Sequence, residues 1–350
     1  MKRQTKSAKP AHHKKKLLLW TAGSLLAVVL LAALAFRLSP WPGAMIIRLV
    51  FTRSDIKTSK ALDKHQPSIP VASILNQQYR AHDGDAFLDV YFPASIQKTQ
   101  TKLPTVIWTH GGAWVSGDKT DNDAYFKLLA AKGFTVISVD YTRGPEKQYP
   151  TAVRQLNDAH AYILRNASRF HADAGKLFLA GDSAGSQLSS QLAALITNPA
   201  YAAEMHLQPA LRPAQLAGVV LNCGIYKMDQ LIQPNPTLPK IIGWGDDVSV
   251  WAYTGSRGDN PALQQMSAYY SVTKDFPATY ITGGNADPLT DVQSKPFADK
   301  LQSLGVPVRR LFYPAAHQPA LPHEYQFNLD NTDGQGAFAA IVDFLKTTAR

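Results

Sequence analysis

The sequence predicts an α/β fold: a doubly wound, mostly parallel sheet flanked by helices, with a cap insertion and a single N-terminal transmembrane helix. Three observations predict it. Short apolar runs alternate with segments of helical periodicity from about residue 104 onwards, which is typical of a sheet covered by helices on both faces. Glycine-rich turns follow several of these runs. One stretch of twenty residues near the N-terminus carries no charge.

The positive charge of the chain is concentrated at its N-terminus. The 350 residues carry a formal net charge of +10, and seven of these charges lie within residues 1–16, which hold no acidic residue. The remaining residues are too weakly basic to form a nucleic-acid-binding face. We therefore predict a basic tail over residues 1–16 and no nucleic-acid partner.

Leu17–Phe36 is the uncharged stretch. A helix of that length spans about 30 Å, the thickness of a bilayer's hydrocarbon core. Because basic residues precede it, the N-terminus is expected in the cytoplasm and the following body outside the cell membrane. The alternative is a cleaved signal peptide and a secreted protein, since Ala33-Leu34-Ala35 resembles a cleavage site. The run exceeds the roughly 7–15 apolar residues of a signal peptide, which favours an uncleaved anchor.

The lone cysteine, Cys223, permits no disulfide framework. A chain with so few thiols is compatible with export.

Residues 37–76 are predicted to be a juxtamembrane linker or lid segment. Residues 44–75 show no clear period, so a helix near the membrane surface and a lid over the body both remain open. The body, residues 77–350, is expected to begin near Gln77, where two apolar segments flanking a turn predict a β-hairpin.

Strands and helices alternate through this body. Buried strands are expected at 104–109, 134–140, 177–180, 217–222, 278–282 and 308–313, and helices at 124–131, 150–166, 186–197, 291–304 and 335–347. Residues 224–272 interrupt the alternation and are rich in Pro, Gly, Trp and Tyr. Their aromatic content favours a cap over the carboxyl edge of the sheet instead of a long surface loop.

Ser183 is the candidate nucleophile. It lies in Gly181-Asp182-Ser183-Ala184-Gly185, between a predicted buried strand and a predicted helix. A strand, a sharp G-x-S-x-G turn and a helix form the context in which such a serine is exposed for attack. The alternative is an ordinary strand-to-helix turn.

Two further segments end predicted strands on the same edge. His110-Gly111-Gly112-Ala113-Trp114 follows the strand at 104–109, and its glycines can leave backbone N–H groups free to stabilise an oxyanion. Asp287 follows the strand at 278–282. An aspartate before proline is also a common turn former, so position alone leaves its role open.

The order of these motifs resembles the α/β-hydrolase superfamily, and more narrowly the bacterial esterase/lipase group related to hormone-sensitive lipase (α/β-hydrolase fold-3 type). The resemblance covers roughly residues 77–350. It rests on four motifs in the required order, namely His110–Trp114, Val139–Tyr149, Gly181–Gly185 and Asp287–Asp291.

The resemblance implies roles for individual residues. Ser183 would be the nucleophile and Asp287, not Asp291, the acid. The backbone N–H groups of Gly111, Gly112 and Ala184 would form the oxyanion hole.

The histidine departs from the family pattern. Tyr313-Pro314-Ala315-Ala316-His317 nearly fits the usual spacing, but Gln318-Pro319 follows it. His323, six residues later, has an aromatic residue two positions on and the usual distance to the final helix. We favour His323 as the base and keep His317 as the alternative.

These features together predict a membrane-anchored serine hydrolase that cleaves small-molecule carboxylic esters through an acyl-enzyme. No metal or organic cofactor is expected, since no cysteine cluster or helical H-x-x-x-H pair suggests one. Two alternatives remain: a catalytically silent hydrolase fold used as a binding module, and an acyltransferase or peptidase with the same triad. The sequence leaves the substrate and the oligomeric state open.

Overall fold

The computed structural model describes residues 11–233, 239–258 and 260–349, with side chains from residue 16 onwards. Most of the predicted basic tail therefore lies outside the described residues, as do Pro234 and Pro236 of the predicted cap.

One eight-stranded sheet forms the centre of the body. Its strands are β1 (Val71–Gln78), β2 (Phe87–Pro93), β3 (Leu103–Thr109), β4 (Thr135–Val139), β5 (Ala172–Asp182), β6 (Leu216–Asn222), β7 (Ala278–Gly283) and β8 (Val308–Phe312). Their spatial order is β1-β2-β4-β3-β5-β6-β7-β8. The pairs β1–β2 and β2–β4 are antiparallel, and all other pairs are parallel. The predicted doubly wound, mostly parallel sheet is confirmed.

Helices precede the sheet, cover it and fill the insertion between β6 and β7. They are α1 (Ala11–Leu38), α2 (Trp41–Leu62), α3 (Asp123–Ala131), α4 (Thr151–Arg165), α5 (Ala184–Thr197), α6 (Pro199–Glu204), α7 (Met228–Leu231), α8 (Lys240–Thr254), α9 (Pro261–Met266), α10 (Ala268–Ser271), α11 (Lys295–Ser303) and α12 (Thr332–Thr348).

The two faces of the sheet bury two separate apolar cores. Successive side chains of a strand point to opposite faces, so Leu177 and Leu179 of β5 pack with residues of α4 and α5. Phe178 and Ala180 of the same strand pack with residues of α3 and α12. This two-sided burial explains why the central strands consist of unbroken apolar runs.

The first strand begins earlier than we expected. β1 starts at Val71, which pairs with Pro93, six residues before the expected start at Gln77. The register shifts between Ile74 and Gln77, and this irregularity interrupts the alternation of buried and exposed residues from which a strand is predicted.

Helix α1 contains the predicted anchor. Lys16–Leu38 is 23 residues long and apolar enough to cross a membrane, and none of its most apolar window is buried against the rest of the chain. Ser39 and Pro40 separate α1 from α2, whose first turn holds Pro42. Proline is tolerated at that point, because the first N–H groups of a helix have no intrahelical partner.

The insertion between β6 and β7 is largely helical. In α8, the ring of Tyr253 stacks on Trp114, with centroids 5.4 Å apart. Because Trp114 belongs to the loop that follows β3, this contact places α8 over the carboxyl edge of the sheet.

A buried ion pair holds that loop in place. Lys119 Nζ lies 2.8 Å from Asp89 Oδ2 of β2, and the two side chains are 8% and 2% exposed. The Lys119 N–H also donates to Asp140, and its carbonyl accepts a hydrogen bond from Ser138 of β4. The loop after β3 is therefore fastened to strands on one side of it.

We expect Lys119→Met to lower the free energy of unfolding by about 3–5 kcal/mol, because it leaves the buried Asp89 carboxylate without its partner. Thermal and urea unfolding of the full chain in detergent would measure the loss. Lys127→Met removes a pair with Asp123 whose side chains are 33% and 29% exposed, and this should cost at most about 1 kcal/mol, because water screens such a pair. Equal losses in the two variants would contradict the role of the buried pair.

Candidate active site

Ser183 occupies the sharp turn between β5 and α5. Its backbone has φ 50° and ψ −119°, a left-handed conformation that non-glycine residues rarely adopt. A Cβ atom on Gly185 would overlap the carbonyl groups of Thr109 and His110. Glycine at 185 therefore allows α5 to start directly against the end of β3, and the serine is presented at the carboxyl edge of the sheet.

The loop after β3 runs beside this turn with an unusual backbone. Gly112, Ala113 and Trp114 all have positive φ, of 93°, 51° and 61°. The Trp114 indole donates to Gln187 Oε1 of α5 at 2.9 Å, which ties the loop to the helix that Ser183 precedes. The N–H groups of Gly112 and Ala113 make no backbone hydrogen bond among the described residues.

Gly111, an expected oxyanion donor, lies against the carboxylate of Asp182. A Cβ atom on Gly111 would overlap this carboxylate, and the Gly111 N–H opposes the rise in the pKa of Asp182 that burial causes. The N–H of Ala113, which sequence reasoning missed, is a further candidate donor, since Gly111, Gly112 and Ala113 all lack a backbone-to-backbone hydrogen bond among the described residues. The positive φ of a non-glycine residue cannot be read from the sequence.

Asp287 and His323 form a close pair. Asp287 follows β7 and is 5% exposed, and its Oδ2 lies 3.0 Å from Nδ1 of His323. The other carboxylate oxygen accepts the Leu289 N–H at 2.9 Å. With Nδ1 bound to the carboxylate, Nε2 of the imidazole is left for another partner.

His317, the alternative base, lies in a different environment. Its Nε2 is 3.0 Å from Asp333 Oδ2 of α12, and its ring packs on Tyr313. Asp291 likewise lies apart from the pair, since it is exposed and contacts Lys295. The structure thus brings Asp287 together with His323 and with neither His317 nor Asp291.

Cys223 connects the serine turn to the histidine. It follows Asn222, whose carbonyl accepts the Ser183 N–H at 2.9 Å, and it is fully buried with φ 52°. Its sulfur accepts the N–H of Glu324 at 3.3 Å and lies within 4.8 Å of the Asp287 and His323 side chains. Sequence reasoning missed this hydrogen bond between Cys223 and Glu324, because the two residues meet at one edge of the sheet but are 101 positions apart in the chain.

Cys223, Asp287 and His323 carry atoms of the kinds that bind metals. The aspartate and histidine atoms are already paired with each other. Burial, followed by the charge of Asp287, raises the pKa of the Cys223 thiol well above its ordinary value. Because metals bind the thiolate, this set is better suited to a hydrogen-bond network than to a metal.

Carboxylates surround His323 and control its charge. Burial alone would lower the pKa of the imidazole, but the charge and hydrogen bond of Asp287, assisted by Glu324, outweigh burial and raise it to about 9. The interaction also lowers the pKa of Asp287 despite its burial. Glu324 Oε1 lies 3.8 Å from His323 Nε2. Partial burial of Asp246 of α8, opposed by the charge of His323, raises the pKa of that carboxyl to about 6.

No hydrogen bond joins the Ser183 hydroxyl to His323 in the residues that the structure describes. In unliganded hydrolases the contact between nucleophile and base is often long and tightens only around the substrate.

The chain is similar to known hydrolases. The BD-FAE family model matches residues 88–301, more than half of the chain. A protein of Acanthamoeba polyphaga mimivirus described as an alpha/beta hydrolase is 28% identical over 217 residues, which are 59% of this chain and 58% of that protein. An acetyl esterase of Salmonella choleraesuis is 25% identical over 240 residues, covering 66% of this chain and 68% of the esterase.

Solved structures share the fold. Esterase B of Lactobacillus rhamnosis superposes with a TM-score of 0.73 at 19% identity, over 87% of this chain and 96% of that chain. An esterase of Pyrobaculum calidifontis superposes with a TM-score of 0.67 at 22% identity, over 93% and 98%. The resemblance to the α/β-hydrolase superfamily and its esterase/lipase group is thereby confirmed, and the chain belongs to the BD-FAE family of α/β hydrolases.

Proposed function

We propose that this chain hydrolyses carboxylic esters with Ser183 as nucleophile, His323 as base and Asp287 as the partner of the base. The observation that carries the proposal is the strained turn at Ser183, set on the same sheet edge as the buried Asp287–His323 pair. Cys223 links the two, since it follows the residue that accepts the Ser183 N–H and lies against both partners. The esterase relatives support the same reaction class.

The reaction follows from this geometry. His323 Nε2 takes the hydroxyl proton as Ser183 Oγ attacks the ester carbonyl carbon, and the Asp287 carboxylate stabilises the resulting imidazolium. His323 then protonates the leaving alcohol, which leaves the acyl group on Ser183. Water, deprotonated by His323, attacks the acyl-enzyme, and the acid departs as Ser183 regains its proton.

We propose that the N–H groups of Gly111, Gly112 and Ala184 bind the oxyanion, with that of Ala113 as a further candidate donor. Gly111, Gly112 and Ala113 make no backbone-to-backbone hydrogen bond among the described residues, and Ala184 is the first residue of α5, where helix N–H groups lack intrahelical acceptors. Each such donor contributes about 3–4 kcal/mol to transition-state stabilisation.

We further propose that α1 remains in the cell membrane, with residues 1–16 in the cytoplasm and the hydrolase domain outside. The length and apolar character of Lys16–Leu38 support the span, and the basic residues that precede it support the orientation.

Ser183→Ala and His323→Ala should each reduce hydrolysis of p-nitrophenyl acetate by about 10⁴-fold or more, because each removes a group on which the others depend. His317→Ala, whose ring contacts Asp333 instead, should retain most of the activity. Thermal unfolding would show that the variants remain folded. Reaction of the parent, but not of Ser183→Ala, with a fluorophosphonate probe would identify the nucleophile. Full activity in Ser183→Ala would refute the proposal.

The rate should depend on pH through His323. Only the neutral imidazole accepts the serine proton, so kcat/KM should rise with pH and level off above a midpoint of about 9. Asp287→Asn removes the main group that raises this pKa, so the midpoint should fall toward about 6.5 and the plateau by about 10⁴-fold. Asp291→Asn, which removes an exposed carboxylate, should leave the midpoint where it is. An unshifted midpoint in Asp287→Asn would contradict this account of the base.

If α1 remains in the membrane, the full-length protein should be found in the membrane fraction. Expressed in its host, the full-length chain should stay with the membrane after a carbonate wash, because a twenty-residue apolar helix is not extracted by alkali. External protease should digest the hydrolase domain in intact spheroplasts. A chain shortened by about 35 residues and released to the medium would instead indicate cleavage after Ala35.

A further inference from the structure

Helix α2 has two faces with different surroundings. Its inner face packs on the body, where Ala44 and Ile47 are buried with Val248 and Ala252 of α8. The packing is close enough that a Cβ atom on Gly43 would press on the Val248 side chain at 2.8 Å. The segment that the sequence left as helix or lid is therefore a helix fixed to the cap.

The inner face also contacts the loop of the active site. Arg48 donates to the carbonyl oxygens of Val115 at 2.5 Å and Gly144 at 2.9 Å, and it forms two hydrogen bonds to the Glu146 carboxylate at 2.6 and 2.7 Å. Further along, Asp55 and Thr58 line a small cavity with Gly111 and Gly112. Helix α2 thus lines a cavity that borders the candidate oxyanion loop.

The outer face of α2 is apolar where a soluble helix would be polar. Ile46, Leu49, Val50 and Ile56 are 46%, 52%, 58% and 50% exposed. Their spacing places them on one stripe of the helix, opposite the face that packs on the body. Arg53, Lys57 and Lys60 lie on the same outer side and are also exposed. We refer to these seven residues as the outer face.

The chain itself indicates what covers this face. Helix α1 ends at Leu38, and only Ser39 and Pro40 separate it from the start of α2. If α1 spans the bilayer, the first turns of α2 lie at the lipid surface. Trp41, in the first turn, is of the residue type that favours that boundary. An apolar stripe flanked by basic residues is the pattern of a helix that lies in the interface plane.

We propose that the outer face of α2 lies on the lipid surface and that the hydrolase takes esters presented by that surface. A helix with its side chains is about 10–12 Å across, so if α2 touches lipid on its far side, the loop that it contacts beside the candidate site lies within about that distance of the membrane. The substrate class would be amphiphilic esters whose acyl or alcohol part is held in the bilayer. This part rests on the proposed ester hydrolysis, whereas the lipid contact does not.

The lipid contact is tested with nitroxide labels on the full chain in vesicles. Leu49→Cys places a label on the outer face, and Leu75→Cys, on edge strand β1, is a matched control because Leu75 is 49% exposed. The native Cys223 is buried, and the parent treated with the label serves as the blank. We expect the label at 49 to collide with oxygen more than with a water-soluble nickel chelate, and the label at 75 to show the reverse.

Two results would overturn the lipid contact. Equal access of the nickel chelate to positions 49 and 75 would mean that the outer face is in water. Protection of position 49 from both reagents, with spin–spin broadening, would mean that a second copy covers it. Repeating the label measurement in vesicles with and without anionic lipid shows how much Arg53, Lys57 and Lys60 contribute to the lipid contact, since these basic residues are attracted only to an anionic surface.

The substrate class is tested with a ratio of two rates. The full chain is assayed with a long-chain p-nitrophenyl ester incorporated in the same vesicles and with p-nitrophenyl acetate in solution. Leu49→Glu with Val50→Glu should lower the ratio of vesicle to soluble turnover by roughly tenfold, because charged residues replace the apolar contact. Leu75→Glu should leave the ratio unchanged.

An unchanged ratio in the double variant would overturn delivery from the membrane. If the parent hydrolysed neither ester, the proposed esterase function would fail, and the label measurements would still decide the lipid contact.

Discussion

The close approach of β3 and the start of α5 is the constraint on which the rest of the site depends. With no side chain at Gly185, the helix begins against the carbonyl groups of Thr109 and His110. Ser183 is then forced into a left-handed conformation, and the loop after β3 is brought alongside it. Because the inner strands are parallel, the residues after β6 and β7 reach the same edge, and Cys223 and Asp287 meet there. The close approach at Gly185, together with the parallel strand order, thus brings groups that follow β3, β5, β6 and β7 to one edge of the sheet.

The candidate site places the proposed oxyanion donors near several acids. A carboxylate beside an oxyanion opposes its formation, so the state of Asp182 matters. Burial raises the pKa of Asp182 well above its ordinary value, which favours the neutral form. The Trp108 indole N–H donates to Oδ1 of Asp182 at 2.7 Å. The acids closest to His323 act differently, because Asp287 and Glu324 favour the imidazolium. The carboxylates that hold His323 in place also raise its pKa. They stabilise the imidazolium that forms when His323 accepts a proton, and they reduce the fraction of neutral imidazole at pH 7.

Helix α2 joins the candidate membrane span to the loop beside the candidate site. Arg48 bonds two carbonyl groups beside that loop and Glu146, so a displacement of α2 would release contacts of that loop directly. The helix has apolar residues on both sides, since Ala44 and Ile47 pack on the cap and the apolar residues of the outer face are about half exposed. The outer side of a surface helix is usually polar, and the lipid contact that we propose would shield these apolar side chains from water.

The sequence by itself determined the fold class, the strand and helix order, and the short list of chemical groups. Buried strands appear as apolar runs, and the Gly181–Gly185 turn requires small residues whatever surrounds it. Only the tertiary structure decided which groups meet. It paired His323 with Asp287 and His317 with Asp333, and it added the N–H of Ala113 to the candidate donors. It also showed α2 lining the cavity beside the loop that follows β3. The physical reason is that local steric rules act over a few residues, whereas hydrogen bonds and burial join residues that are a hundred or more positions apart, and the periodicity of a sequence carries no information about such pairs.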